Sequence, residues 1–113
     1  MNRSLRVLGL VGLVVACSVQ AGGDPEAGRA KAAACAGCHG ADGNSTVATF
    51  PILAGQHADY LVQALKDYKS GKRKNAIMQA QAAGLSEEDM ENLAAYFASQ
   101  KGLRVIDAVH SEP

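Results

Sequence analysis

The sequence predicts an all-α domain of three main helices, and three observations predict it. Strong helix-start signals stand at Asp24-Pro25-Glu26 and at Ser86-Glu87-Glu88-Asp89. Between them, residues 58–70 carry one apolar stripe at helical period, with charged and amide residues elsewhere. No internal repeat or low-complexity tract interrupts the 113-residue chain, so one small domain accounts for it.

The N-terminus precedes that domain. Arg3 and Arg6 sit in a positively charged opening, residues 7–16 are apolar, and small and polar residues run to Val19-Gln20-Ala21. This is the three-part layout of a secretory signal, and the apolar run is short for a bilayer core of about 30 Å. The expected organisation is therefore a cleaved signal peptide over residues 1–21, a domain over 22–102 and a tail over 103–113. Val14-Val15-Ala16-Cys17 also fits a lipoprotein box, in which Cys17 would become an acylated N-terminus. Periplasmic export is common to both readings, and they differ in whether the product is lipid-anchored through Cys17.

The first helix is expected over residues 25–35. Asp24 caps it, Pro25 occupies the first turn, and Gly28 and Ala32 share a face on which another helix can approach closely. Residues 40–56 mix Gly, Asp, Asn, Ser and Pro without a period and read as a loop, with Phe50, Ile52 and Leu53 facing inward. The second helix, residues 58–70, places Tyr60, Leu61, Ala64, Leu65 and Tyr68 on its stripe and stops at Gly71. A basic segment, Lys72-Arg73-Lys74-Asn75, then leads to Ile77 and Met78. The last helix is expected over 87–100, opened by a capping box with Asp89 in the place usually taken by Glu, and ended by Gly102.

Inside this frame, Cys35-Ala36-Gly37-Cys38-His39 is a C-x-x-C-H string, the attachment pattern of a c-type haem. Two thiols separated by two residues reach the two vinyl groups of one porphyrin, and the following imidazole lies under the iron. Cys35 and Cys38 are thus the candidate thioether donors and His39 the proximal ligand of one covalently bound haem c. A thioredoxin-type site would need a βαβ setting, and residues 35–38 lie beside no β-branched strand. A zinc site would need a second pair of ligands, and Cys17 is the one remaining cysteine. With no Trp and five other aromatic residues, the chain is short of core material, which a buried porphyrin would supply.

Four residues compete for the other side of the iron. Met90 lies on the apolar face of the last helix and suits core packing. His110 is in the tail, and His57 reads as a solvated first-turn residue. Met78 follows the basic loop, where the chain can return to the distal face. The chain is neutral overall, and loss of Arg3 and Arg6 leaves the domain mildly acidic, which offers nucleic acid no bulk attraction. Lys66, Lys69, Lys72, Arg73 and Lys74 form a basic cluster and Glu87, Glu88, Asp89 and Glu91 an acidic one; apart, they would make a dipole that orients docking.

Residues 24–100 resemble a class I c-type cytochrome, of the small bacterial kind whose domain also occurs in tandem in dihaem periplasmic cytochromes. The resemblance rests on Cys35-Ala36-Gly37-Cys38-His39-Gly40, Pro51-Ile52-Leu53-Ala54-Gly55-Gln56, Tyr60-Leu61, Gly71-Lys72-Arg73 ahead of Met78, and Leu93-Ala94-Ala95-Tyr96-Phe97, in that order. It implies three helices and loops wrapped around one haem, with Met78 as distal iron ligand. It further implies that the Pro51 carbonyl accepts the Nδ1 proton of His39 and that Arg73 pairs with a haem propionate; stiffening of the loop by Pro51 and a solvated Arg73 are the plainer alternatives. It also implies that Gly28 meets Leu93 and Tyr96 where the first and last helices cross.

With both axial positions filled, no small-molecule substrate reaches the iron. The function implied is that of a monomeric periplasmic electron carrier, not an enzyme, moving single electrons by transient docking between a respiratory donor complex and a terminal oxidase or reductase. The alternatives are a haem subunit of a stable oxidoreductase complex, for example one acting on sulfur compounds, and a peroxide- or gas-reactive haem protein.

Overall fold

The computed structural model describes residues 22–102, so the expected signal peptide, Cys17, His110 and the tail lie outside the described residues. Five helices and no strand are found among them: α1 Pro25–Lys31, α2 Ala33–His39, α3 Ala58–Ser70, α4 Ala76–Ala83 and α5 Glu87–Ala98. The all-α class stands, with two more helices than the three main ones expected.

Local chemistry accounts for both additions. The helix expected to end near residue 35 does not stop there: Ala32 keeps right-handed helical angles between α1 and α2, and its carbonyl accepts from the amides of Cys35 at 2.9 Å and Ala36 at 3.1 Å. Alanine-rich sequence carries the helical path on to His39, and Gly40 closes it. Helix α4 has too short an apolar pattern to announce itself, yet Ala-Ile-Met-Gln-Ala-Gln-Ala-Ala is composed mainly of good helix formers, and the Asn75 side chain caps it. At the other end, α5 stops two residues short of the expected boundary, because the amides of Ser99 and Gln100 turn back to Ala95, Tyr96 and Phe97.

The packing centres on α5, which crosses α1 on one side and α3 on the other. Ala32, Leu61, Leu93, Ala94 and Phe97 form the buried cluster, with Cys35, Leu53, Val62, Leu65, Leu85 and Tyr96 packed around it. The crossing depends on Gly28: a Cβ there would lie 1.9 Å from the Asn92 carbonyl oxygen and 2.9 Å from the Tyr96 Cβ. The expected close approach is present, made through the Asn92 backbone and Tyr96. Helix α4 packs, among the helices, against α3 alone.

The loop over residues 40–56 is pinned to α5 and to the residues just after it. Gly55 N–H donates to the Phe97 carbonyl at 2.9 Å, the Tyr96 hydroxyl donates to the Ala41 carbonyl at 2.8 Å, and Asn44 Nδ2 donates to the Lys101 carbonyl at 2.8 Å. Within the loop, Leu53 N–H donates to the Gly43 carbonyl at 2.8 Å. Phe50 and Leu53 are half-buried, and Ile52 keeps 45% of its surface exposed on the protein chain.

The acidic and basic clusters are not set apart. Lys66 on α3 pairs with Glu87 at the start of α5, Lys69 Nζ donates to the Leu85 carbonyl, and Lys31 on α1 lies 3.0 Å from Asp89. The two clusters thus interlock instead of standing apart as a dipole, and Lys72, Arg73 and Lys74 remain as the exposed basic stretch.

Candidate functional site

Cys35, Cys38 and His39 stand on α2 at spacings of three and four, which place them on one helical face. Both thiols are free and half-buried. Burial pushes the Cys35 thiol up from its ordinary value, and the neighbouring Cys38 adds to the effect. An attacking thiol of the thioredoxin type is shifted the other way. Cys35 is thus held toward its neutral S–H form in partly apolar surroundings.

His39 is buried, with 6% of its surface exposed, and its Nδ1 lies 2.8 Å from the Pro51 carbonyl oxygen. A carbonyl can only accept, so the proton is on Nδ1 and the free lone pair is on Nε2. That tautomer is what an iron ligand requires, and a backbone carbonyl as partner fixes the ring plane and raises the basicity of Nε2. The loop holds Pro51 in position through its bonds to α5, and the Phe50 ring lies 6.4 Å from the imidazole.

Met78 falls in the first turn of α4 and is half-buried. Its amide donates to Asn75 Oδ1 at 3.0 Å. The other sequence candidates sit elsewhere: Met90 is only 2% exposed within the core, and His57 is exposed at the start of α3. The Arg73 guanidinium lies over the Tyr68 ring, 4.9 Å from its centroid, and Nη1 donates to the Tyr60 hydroxyl at 3.3 Å. Its backbone amide donates to the Asp67 carbonyl at 3.0 Å, folding the chain back onto the end of α3.

Two features of this arrangement were not legible as functional in the sequence. Tyr60 and Tyr68 fall on the apolar stripe of the second helix, yet both engage Arg73. Asn75 closes the basic segment in sequence, and an Asn three residues before Met78 is also a capping signal.

The donor set fits a covalently attached haem. Paired free thiols one turn apart can add to two vinyl groups, and the imidazole beside them is locked with Nε2 free. Apolar surface is available next to the proposed ligands, at Ile52 beside Pro51 and at Ile77 beside Met78. Among the described residues no cluster of three or more His, Cys, Asp or Glu side chains could hold a free metal ion, and no helix is long and apolar enough to cross a membrane.

Comparison with known proteins agrees with this chemistry. The cytochrome c family profile matches residues 26–101. Cytochrome c4 of Pseudomonas aeruginosa is 50% identical over 97 residues, which cover 86% of this chain and 46% of that protein. Cytochrome c-554(548) of Halomonas halodenitrificans is 44% identical over 82 residues, covering 70% of this chain and 99% of that protein. The crystal structure of reduced recombinant cytochrome c4 from Pseudomonas stutzeri matches with a TM-score of 0.68 at 47% identity, over 72% of this chain and 47% of the other. The chain thus spans about half the length of the cytochromes c4 that it matches.

Proposed function

The chain belongs to the cytochrome c family, and we propose that it is a periplasmic one-electron carrier, with a respiratory complex as donor and a terminal oxidase or reductase as acceptor. One observation carries the reading: on the helical face that presents two free thiols, a buried imidazole is fixed in the tautomer that leaves Nε2 free. The haem c supplies an iron that gains and loses one electron.

The remaining work belongs to the chain's own residues. Cys35 and Cys38 would hold the haem, each S–H adding across one vinyl group, sulfur to one carbon and hydrogen to the other, to give a thioether with no net redox change. His39 would offer Nε2 to the iron while the Pro51 carbonyl holds Nδ1–H. Met78 would offer its thioether sulfur as a second iron ligand, which would keep water and small ligands off the iron and favour the ferrous state. Arg73, set over Tyr68, supplies a planar cation suited to a propionate. Lys72 and Lys74, both exposed, are suited to brief docking on an acidic redox partner.

The test is the optical spectrum of the ferric holoprotein, in particular the weak red band that reports methionine sulfur on iron. The band is expected in the native protein and in Met90→Leu, and is expected to vanish in Met78→Ala. A high-spin native ferric spectrum without the band would overturn the carrier reading and point to an open iron.

A further inference from the structure

We propose that Asn75 is the positioning residue that holds Met78 in place, and that it sets how readily the iron opens to an outside ligand. The inference rests on the reading of Met78 as distal ligand and concerns what keeps it there.

Helix α4 is weakly supported. It packs against α3 alone among the helices, Ala82 is its one buried residue, and its first turn carries no acidic side chain. Ile77, next to Met78, keeps 57% of its surface exposed. What secures this turn is Asn75, whose Oδ1 accepts the Met78 amide at 3.0 Å while its backbone carbonyl accepts the Gln79 amide at 2.8 Å. The strap leading to Asn75 is closed at its other end. Gly71 takes a left-handed turn (φ 78°), the Arg73 amide returns to the Asp67 carbonyl, and the Arg73 side chain is held by Tyr68 and Tyr60. Asn75 is thus the joint between a fastened strap and a turn with little else to hold it. Opening of that joint releases the Met78 backbone, and the side chain moves with it.

Loss of a side-chain cap shifts a local equilibrium about five-fold. An outside ligand binds iron only in the opened form, so its apparent affinity rises with the opened fraction. The experiment titrates the ferric holoprotein with imidazole, follows loss of the red band, and measures hydrogen exchange at the Met78 amide. Asn75→Ala is expected to bind imidazole about five-fold more tightly and to exchange the amide faster by a similar factor. Asn75→Ser, which restores a neutral cap, is expected to return both to native values. Ser86→Ala removes a cap from α5, far along the chain from Met78, and is expected to leave imidazole affinity unchanged. The proposal is overturned if Asn75→Ala titrates like the native protein, or if Ser86→Ala reproduces its effect. Native protein that takes imidazole as tightly as Met78→Ala would instead overturn the ligand reading, and this proposal with it.

Discussion

Gly28 and Asn92 meet backbone to backbone, so the usual relief of a crowded contact, a change of rotamer, is absent. A methyl group at Gly28 would stand 1.9 Å from the Asn92 carbonyl oxygen, and α1 could accept it only by moving off α5. Overpacking of this kind costs about 3 kcal/mol. Gly28→Ala is therefore expected to lower unfolding stability by that amount in denaturant titrations of the holoprotein followed by circular dichroism. A loss under about 0.5 kcal/mol, within the range of ordinary surface substitutions, would mean that the crossing is looser than the structure describes. The same residue separates what is local in the sequence from what is not. Gly28 and Ala32 on one face announce a close helix approach, but the partner surface, the Asn92 carbonyl and the Tyr96 Cβ, lies far along the chain and has no local signature. Arg73 is similar: its charge was visible, whereas its seat on Tyr68 and Tyr60 depends on how residues 71–75 fold back.

At the scale of elements, the start of α5 concentrates the charge chemistry. Ser86 Oγ accepts the Asp89 amide and Asp89 Oδ2 accepts the Ser86 amide, each at 3.0 Å, while Lys31 from α1 reaches Asp89 Oδ1. Hydrogen bonding from the Ser86 backbone, aided by Lys31, holds the Asp89 carboxyl below its ordinary value, and pairing with Lys66 does the same for Glu87. A carboxylate depressed in the folded state contributes stability above its unfolded value, about 3.9 for Asp, and loses it as pH falls through the lower folded value. Asp89→Asn is thus expected to be less stable than the native protein at pH 7, with the gap narrowing below about pH 4, as read from unfolding midpoints across that range. A gap independent of pH would show that Asp89 acts by shape and not by charge. This element was legible because its signals are contiguous: Ser86 and Asp89 lie three residues apart. Helix α4 was not, since eight residues with little apolar periodicity give no stripe, and its place is fixed by α3 packing and the Asn75 cap.

For the whole molecule, the question is how so little apolar material holds five short helices together. Among the described residues, four of the eight buried apolar side chains are alanines, and no large side chain is completely enclosed. The longest helix among them has 13 residues, near the length at which isolated helices become marginal in water. Helix α2, which carries all three attachment residues, packs among the helices against α1 alone, and α4, which carries Met78, against α3 alone. The two elements that would flank the porphyrin are therefore the ones least supported by the rest of the chain. A covalently held haem joins them through bonds and apolar area that the side chains do not provide. Cys35→Ser/Cys38→Ser, produced without attached haem, is expected to lose most of the helical circular dichroism of the holoprotein and to melt without a cooperative transition. The α1–α5 crossing is the part best able to persist, because Gly28 lets the backbones touch and the α5 cap is internal to its own sequence. Retention of native helix content with a sharp thermal transition would show that the alanine-rich core suffices, and that the haem is cargo in a preformed fold.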